Sequence, residues 1–146
     1  MKPLFGFGNE DDFPWKYPRN LSFPAIQNAS GSDSLEPGDS GDEAYNMDIE
    51  WATPHTPFDD TIIDEPTRYE ITLRSSNGVQ TADVTPRRTQ AFSVIPDQQC
   101  DWSTLNRTSG EAIDSGSVTA DIDSLLTVTG VEIHSGTGTR LVIDCP

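Results

Sequence analysis

Tyr45, Met47, Ile49 and Trp51 are large and apolar, and Asn46, Asp48 and Glu50 between them are polar. A period of two is what a strand shows when one face is buried and the other is wet. The same alternation returns at Tyr69, Ile71 and Leu73, flanked by Arg68, Glu70, Thr72 and Arg74. No stretch has a convincing period of 3.6, the mark of an amphipathic helix. The chain therefore reads as all-β, an antiparallel β-sandwich.

Turn signals recur every eight to twelve residues from position 45 onward, the spacing of a sandwich or barrel. They predict strands at 45–52, 67–75, 79–84, 90–95, 99–105, 116–121, 125–129 and 139–144, with a short extra strand at 131–134. Asn77-Gly78, between two alternating runs, predicts a hairpin. The expected buried set is Trp51, Tyr69, Ile71, Leu73, Val84, Phe92, Val94, Trp102, Val118, Leu126, Val128, Leu141 and Ile143. Residues 1–44 differ. Five prolines, many glycines and the acidic clusters Glu10–Asp12 and Asp39–Glu43 break regular elements there. Phe5, Phe7, Phe13, Trp15, Tyr17, Leu21, Phe23 and Ile26 are nevertheless too apolar for a wholly solvated tail, and should pack on the β domain or on a neighbouring domain. The organisation reads as an irregular, aromatic-containing arm over 1–44 and a β-sandwich domain over 45–146.

The 146 residues allow one ordinary domain. The net charge of −15, from 24 acids against 9 bases, repels phosphate backbones and anionic membrane surfaces. Nucleic acid is therefore not an expected partner. No run is long enough to insert in a membrane. Met1 to Gly6 lacks the apolar segment of a signal peptide. So acidic a surface fits simple solubility, a high-salt habitat, or neutralisation by bound Ca²⁺. Two cysteines, Cys100 and Cys145, have no metal-ligand spacing and form no C-x-x-C. Two buried thiols are one reading. The expectation is a disulfide between them, which an extracellular, secreted setting would preserve.

Catalytic signatures are thin. His55 sits between Pro54 and Pro57, and His134 at a strand end; no serine lies in a Gly-x-Ser-x-Gly elbow. With 24 acids, carboxylate pairs are the ordinary content of a solvated face. The chain is not expected to be an enzyme. Short-spaced acids at Asp33, Glu36, Asp39, Asp42 and Glu43, among Ser and Gly, could wrap oxygens around Ca²⁺, though not as an EF-hand. A solvated acidic loop is the plainer reading. Phe13, Trp15 and Tyr17 could stack on a polysaccharide or simply pack. Asn20-Leu21-Ser22, Asn28-Ala29-Ser30 and Asn106-Arg107-Thr108 are N-glycosylation sequons, meaningful only in a cell that glycosylates.

One run is more distinctive. Thr81 to Phe92, with Val84-Thr85-Pro86-Arg87-Arg88 at its centre, is followed by Cys100-Asp101-Trp102, then by Ser115 to Asp121 and Leu125 to Val128. With Ile63 to Ile71, these resemble the C-terminal immunoglobulin- or fibronectin III-like β-sandwich modules of secreted bacterial α/β-hydrolase-type proteins. Phe23-Pro24-Ala25 and the stretch from Asn28 to Gly41 resemble the segment leading into such modules. The resemblance covers most of residues 20–143 and carries no catalytic residue, and the chain departs from the pattern in having cysteines at Cys100 and Cys145. It implies an accessory module beside a catalytic domain. The residues themselves add that Pro86 should end a strand and start a turn. Arg87 and Arg88, adjacent and so on opposite faces, should find carboxylates, one within the sheet and one toward solvent or a partner.

The expected function is a non-catalytic extracellular accessory or interaction module. It would dock on a neighbouring domain, a subunit, a second copy or a matrix, and bare edge strands would make strand addition feasible. A small carbohydrate- or Ca²⁺-binding module is the alternative.

Overall fold

Extended segments pair wherever each can bury one row of side chains against another sheet. In the computed structural model, which describes residues 21–30, 49–51, 61–76 and 78–146, such segments form β1 (Phe23–Gln27), β2 (Ile49–Trp51), β3 (Ile63–Glu65), β4 (Arg68–Ser75), β5 (Gln80–Arg87), β6 (Gln99–Asn106), β7 (Ala112–Thr119), β8 (Val128–Ile133) and β9 (Thr139–Asp144). There is no helix among the described residues. The strands make two antiparallel sheets, in the orders β1-β5-β8 and β2-β4-β9-β6-β7. β3 and β2 share one side of β4, opposite Arg68–Glu70 and Leu73–Ser75 respectively.

The two sheets close over one core, the β-sandwich that the alternation predicts. Tyr69, Ile71, Leu73, Leu141 and Ile143 of the larger sheet meet Ala82, Val84, Val131 and Ile133 of the smaller, and Phe92 and Leu126 enter from loops. Burying each large apolar side chain contributes roughly 1.5–3 kcal/mol, the main term where the described residues form no helix. Trp51, Val94, Trp102 and Val118 are partly buried against this cluster.

The wet face of the larger sheet carries ion pairs, along β4 and across strands. Arg68 bridges Glu70 (2.6 Å) and Asp144 (2.7 Å), Arg74 bridges Glu50 (2.6 Å), and Arg140 reaches Glu70 (3.2 Å). Burial pushes the Glu70 carboxyl up, but hydrogen bonds and charge from Arg68 and Arg140 outweigh it and hold the group below its usual range. Cys100 and Cys145 are bonded, 45 residues apart in sequence, with Cα atoms 4.4 Å apart. They lie opposite each other one step beyond the Asp101↔Asp144 pair of the β6–β9 ladder. The bridge thus extends one sheet and does not join the two.

Several expected elements differ, each for a local reason. Residues 90–95 are a loop, because the Asp64 carboxylate takes the N–H groups of Gln90, Ala91 and Phe92 that a ladder would need. The predicted strands at 125–129 and 131–134 are one strand, β8, with a bulge. Ala82 faces Val131 and Val84 faces Val128, so Thr129 and Gly130 oppose Asp83 alone, with Gly130 at φ 66°. β7 starts at Ala112, not 116, because Gly116 is mid-strand beneath the Trp102 ring instead of at a turn. Asn77-Gly78 does not close a hairpin: β4 and β5 belong to different sheets. Pro86 does not end β5. It faces Pro24 across the β1–β5 ladder, where alternate opposite pairs exchange no hydrogen bonds. β1, inside the segment read as irregular, and β3 were not predicted.

Candidate interaction surface

At the end of the sandwich where β5 leaves the sheet, the chain must turn out of a ladder sealed by two prolines. Arg88 makes the turn in a left-handed conformation (φ 51°), an uncommon state for a non-glycine residue. Its guanidinium lies 5.1 Å from the centre of the Phe23 ring, a cation–π contact. Arg87 is exposed, and its carbonyl accepts the Ser22 hydroxyl at 2.8 Å. Ser22 Oγ also lies 2.8 Å from the Tyr69 hydroxyl. With one proton on each oxygen, Tyr69 donates to Ser22 and Ser22 to Arg87. Burial pushes the Tyr69 hydroxyl up to about 12.

Two loops follow at this same end, and carboxylates shape both. In the loop between β5 and β6, Asp64 on β3 accepts Gln90 N–H at 2.6 Å, Ala91 N–H at 3.0 Å and Phe92 N–H at 2.7 Å. The Thr89 hydroxyl donates to the Phe92 carbonyl at 2.7 Å, and the Phe92 ring packs 5.7 Å from that of Tyr69. In the loop between β7 and β8, Asp121 Oδ1 accepts the N–H groups of Asp123 (2.9 Å) and Leu125 (3.0 Å). The Asp97 N–H joins the two loops through the Ala120 carbonyl at 3.0 Å. Hydrogen bonds to a charged acceptor are roughly twice as strong as neutral ones, so these loops are ordered.

Between them lies a shallow hollow of about 70 Å³, lined by residues 86–89, 92–94 and 124–126. It is well below the roughly 300 Å³ of a small-molecule site and suits a single inserted side chain. Three large apolar side chains are exposed on the flanking segments: Ile122 is 87% exposed and Ile95 69% exposed, both on these loops, and Leu21, just before β1, is 42% exposed. The two isoleucines stand in water on loops tied down by hydrogen bonds to carboxylates, at the end of the sandwich where Arg87 ends β5.

The expected site residues divide accordingly. Cys100 and Cys145 form the predicted bond. Arg87 and Arg88 both line the hollow, but not as expected: Arg88 is past the strand end and stacks on Phe23. Asp33, Glu36, Asp39, Asp42 and Glu43, and Phe13, Trp15 and Tyr17, lie outside the described residues, as does His55. Among the described residues no three His, Cys, Asp or Glu side chains are grouped to hold a metal. His134 Nε2 lies 2.6 Å from Glu132 Oε1. In the sequons, Asn28 Nδ2 donates to Asp83 at 2.7 Å, and Asn106 Oδ1 accepts the N–H groups of Thr108 and Ser109.

Sequence reasoning missed Ile95 and Ile122, since isolated apolar residues on a surface are ordinary, and counted Leu21 among the apolar residues of the arm. Asp64 and Asp121 were also missed. Asp121, at the head of Asp121-Ile122-Asp123-Ser124, carried a turn signal that could have been used. No protein-family model, curated protein or solved structure matches the chain.

Proposed function

We propose that the chain is a non-catalytic β-sandwich module that docks on a partner protein through the loop end carrying Arg87, Arg88, Ile95 and Ile122. The observation that carries this reading is the exposure of Ile95 and Ile122 on loops fixed by Asp64 and Asp121. Burying both would remove apolar surface from water without first ordering a loop, which is where preordered surfaces gain affinity.

An immunoglobulin- or fibronectin III-like character is supported by strand order. The sheet β1-β5-β8 corresponds to strands A, B and E of that fold, and β7-β6-β9 to C′, C and F. β4 then occupies the place of the final strand G, supplied from upstream of the second strand. In that correspondence the loop between β5 and β6 is the B–C loop, one of the binding loops of variable domains. A secreted, extracellular setting is supported by the disulfide. If the likeness to modules of secreted hydrolases holds, the partner is a catalytic domain of the same polypeptide or complex. No observation on the described residues favours the Ca²⁺- or polysaccharide-binding alternative.

The test uses Ile95→Asp/Ile122→Asp, two exposed sites whose change leaves the core intact. Wild type and variant are cross-linked to the extracellular proteins of the source, and cross-linked partners are identified. The expected result is a specific partner whose yield falls about ten-fold or more in the variant, the loss of a central apolar anchor. Equal yields would sink the assignment of this surface.

A further inference from the structure

Sheet edges expose unpaired N–H and C=O groups, and proteins ordinarily guard them. Among the described residues most edges here are guarded. β1 is five residues long and contains Pro24. β8 is interrupted by the bulge at Gly130. The edge beside β4 is divided between the three-residue strands β2 and β3. β7 differs. It has eight residues with no proline and no basic side chain, pairs only with β6 among the described residues, and is largely exposed. A register shift near Ile113 leaves a regular stretch from Asp114 to Thr119. One guard is present: Asp114 Oδ1 accepts the Ser115 N–H at 2.8 Å.

The register identifies which groups face outward. The Ala120 N–H bonds to the Gln98 carbonyl at 2.9 Å, and Ala120 continues the series Val118, Gly116, Asp114 toward β6. Backbone groups alternate along a strand, so those of Ser115, Ser117 and Thr119 point away from β6.

We infer that β7 pairs antiparallel with β7 of a second copy of this chain, about a two-fold axis at Gly116. Ser115 then faces Ser117 of the second copy, Gly116 faces Gly116, and Asp114 faces Val118. Moving the axis to Ser115 shortens the ladder, and moving it to Asp114 sets two carboxylates directly opposite. An axis at Ser117 pairs as many residues but sets Gly116 opposite Val118, so that the two Trp102 rings no longer meet over facing glycines. On the wet face the row Arg68, Asp144, Asp101, Ser117 continues into neutral Ser115 and Ser103 of the second copy. On the inner face each half-buried Trp102 leans over Gly116, where an added Cβ would lie 3.0 Å from the ring. The two indoles therefore converge over the axis and cover the junction. Such an isologous contact closes at two copies.

The test is sedimentation equilibrium of the full chain at protein concentrations up to about 1 mM, the regime of weak association, in about 0.03 M and about 1 M salt. The mass should rise from 16.0 kDa toward twice that value. Association should tighten with salt, because screening relieves repulsion between chains of charge −15. Ser117→Pro removes an outward N–H, a change an edge strand tolerates, so this variant should melt like wild type and stay monomeric. Asp114→Ala releases the Ser115 N–H and removes a charge, and should tighten association by about three-fold or more. A constant mass of 16.0 kDa in both salts overturns the inference, as does a folded Ser117→Pro chain that associates like wild type. Should Ser117→Pro melt early, Asp114→Ala decides: no tightening overturns the pairing.

Discussion

The six-stranded and three-stranded sheets bury the same core but are specified by different means. In the larger sheet the most buried large side chains fall on alternate positions, Tyr69, Ile71 and Leu73 of β4 and Leu141 and Ile143 of β9, and its register is held by the Cys100–Cys145 bond and by arginine–carboxylate pairs across strands. The smaller sheet breaks the rules of regular pairing. It holds opposed prolines at Pro24 and Pro86 and a bulge at Gly130, and it is tied by neutral or short polar links. Asp83 receives both Asn28 Nδ2 and the Gly130 N–H, and the Thr85 and Thr127 hydroxyls meet at 2.6 Å. Regular alternation needs few special residues and tolerates surface change. An irregular sheet puts its register in particular side chains. The irregular sheet also bears the strand that delivers Arg87 and Arg88 to the candidate surface.

The sharpest break of this contrast is removal of the disulfide. The closed loop of 45 residues predicts a loss of about 4 kcal/mol for Cys100→Ser/Cys145→Ser, mostly through the freed unfolded chain. Urea denaturation measures it, and amide exchange should show β6 and β9 losing protection more than β5 and β8. A loss under about 1 kcal/mol would mean the ladder and ion pairs hold the register alone.

Two glycines sharpen the contrast further. At Gly138 (φ 92°) an added Cβ would lie 2.6 Å from the Leu73 carbonyl oxygen in the larger sheet. Backbone strain and a clash against backbone together should cost about 3 kcal/mol in Gly138→Ala. At Gly130 (φ 66°) nothing lies within 4 Å, so Gly130→Ala should cost only about 1 kcal/mol, the conformational term alone. Equal costs in the two variants, read from denaturation midpoints, would show that the bulge carries a packing constraint the structure does not contain.

The same contrast explains what was legible in the sequence. Tyr69, Ile71 and Leu73 announce β4 because polar residues separate them, and Leu141-Val142-Ile143 announces β9 as a short run of branched apolar residues. Val128, Val131 and Ile133 are all buried, but the step of three across Gly130 shifts the period, so β8 read as two pieces. Pro24 concealed β1, since proline in a strand is permitted only by a pairing partner that sequence does not name. Phe92 was correctly expected inside, yet it arrives on a loop because Asp64, distant in sequence, captures three N–H groups there. The candidate surface was half visible. Arg87 and Arg88 stood out as adjacent bases in an acidic chain. That the loops bearing Ile95 and Ile122 meet depends on the Asp97–Ala120 hydrogen bond, a tertiary fact.

One group belongs to both sheets, and its titration tests whether they act as a unit. Tyr69 lies in the larger sheet, and its hydroxyl reaches Arg87 of the smaller through Ser22. Its folded value is raised from 10.0 to about 12 by burial. A raised value means the folded chain keeps the proton after the unfolded chain has lost it. Its stabilising contribution is therefore complete below pH 10 and declines as pH climbs from 10 toward 12. Two units correspond to a fall of about 2–3 kcal/mol. Tyr69→Phe should start less stable by about 1 kcal/mol, the lost hydrogen bond, and should lack this decline. Rapid urea unfolding across pH 9 to 12 reads both chains, and parallel curves would mean that Tyr69 ionises without opening the seam between the sheets. If the wild-type decline is instead cooperative with exposure of Phe92, which packs on the same ring, the loop bearing Ile95 is built on that seam. In that case the one buried phenol among the described residues and the proposed docking end share a single point of failure.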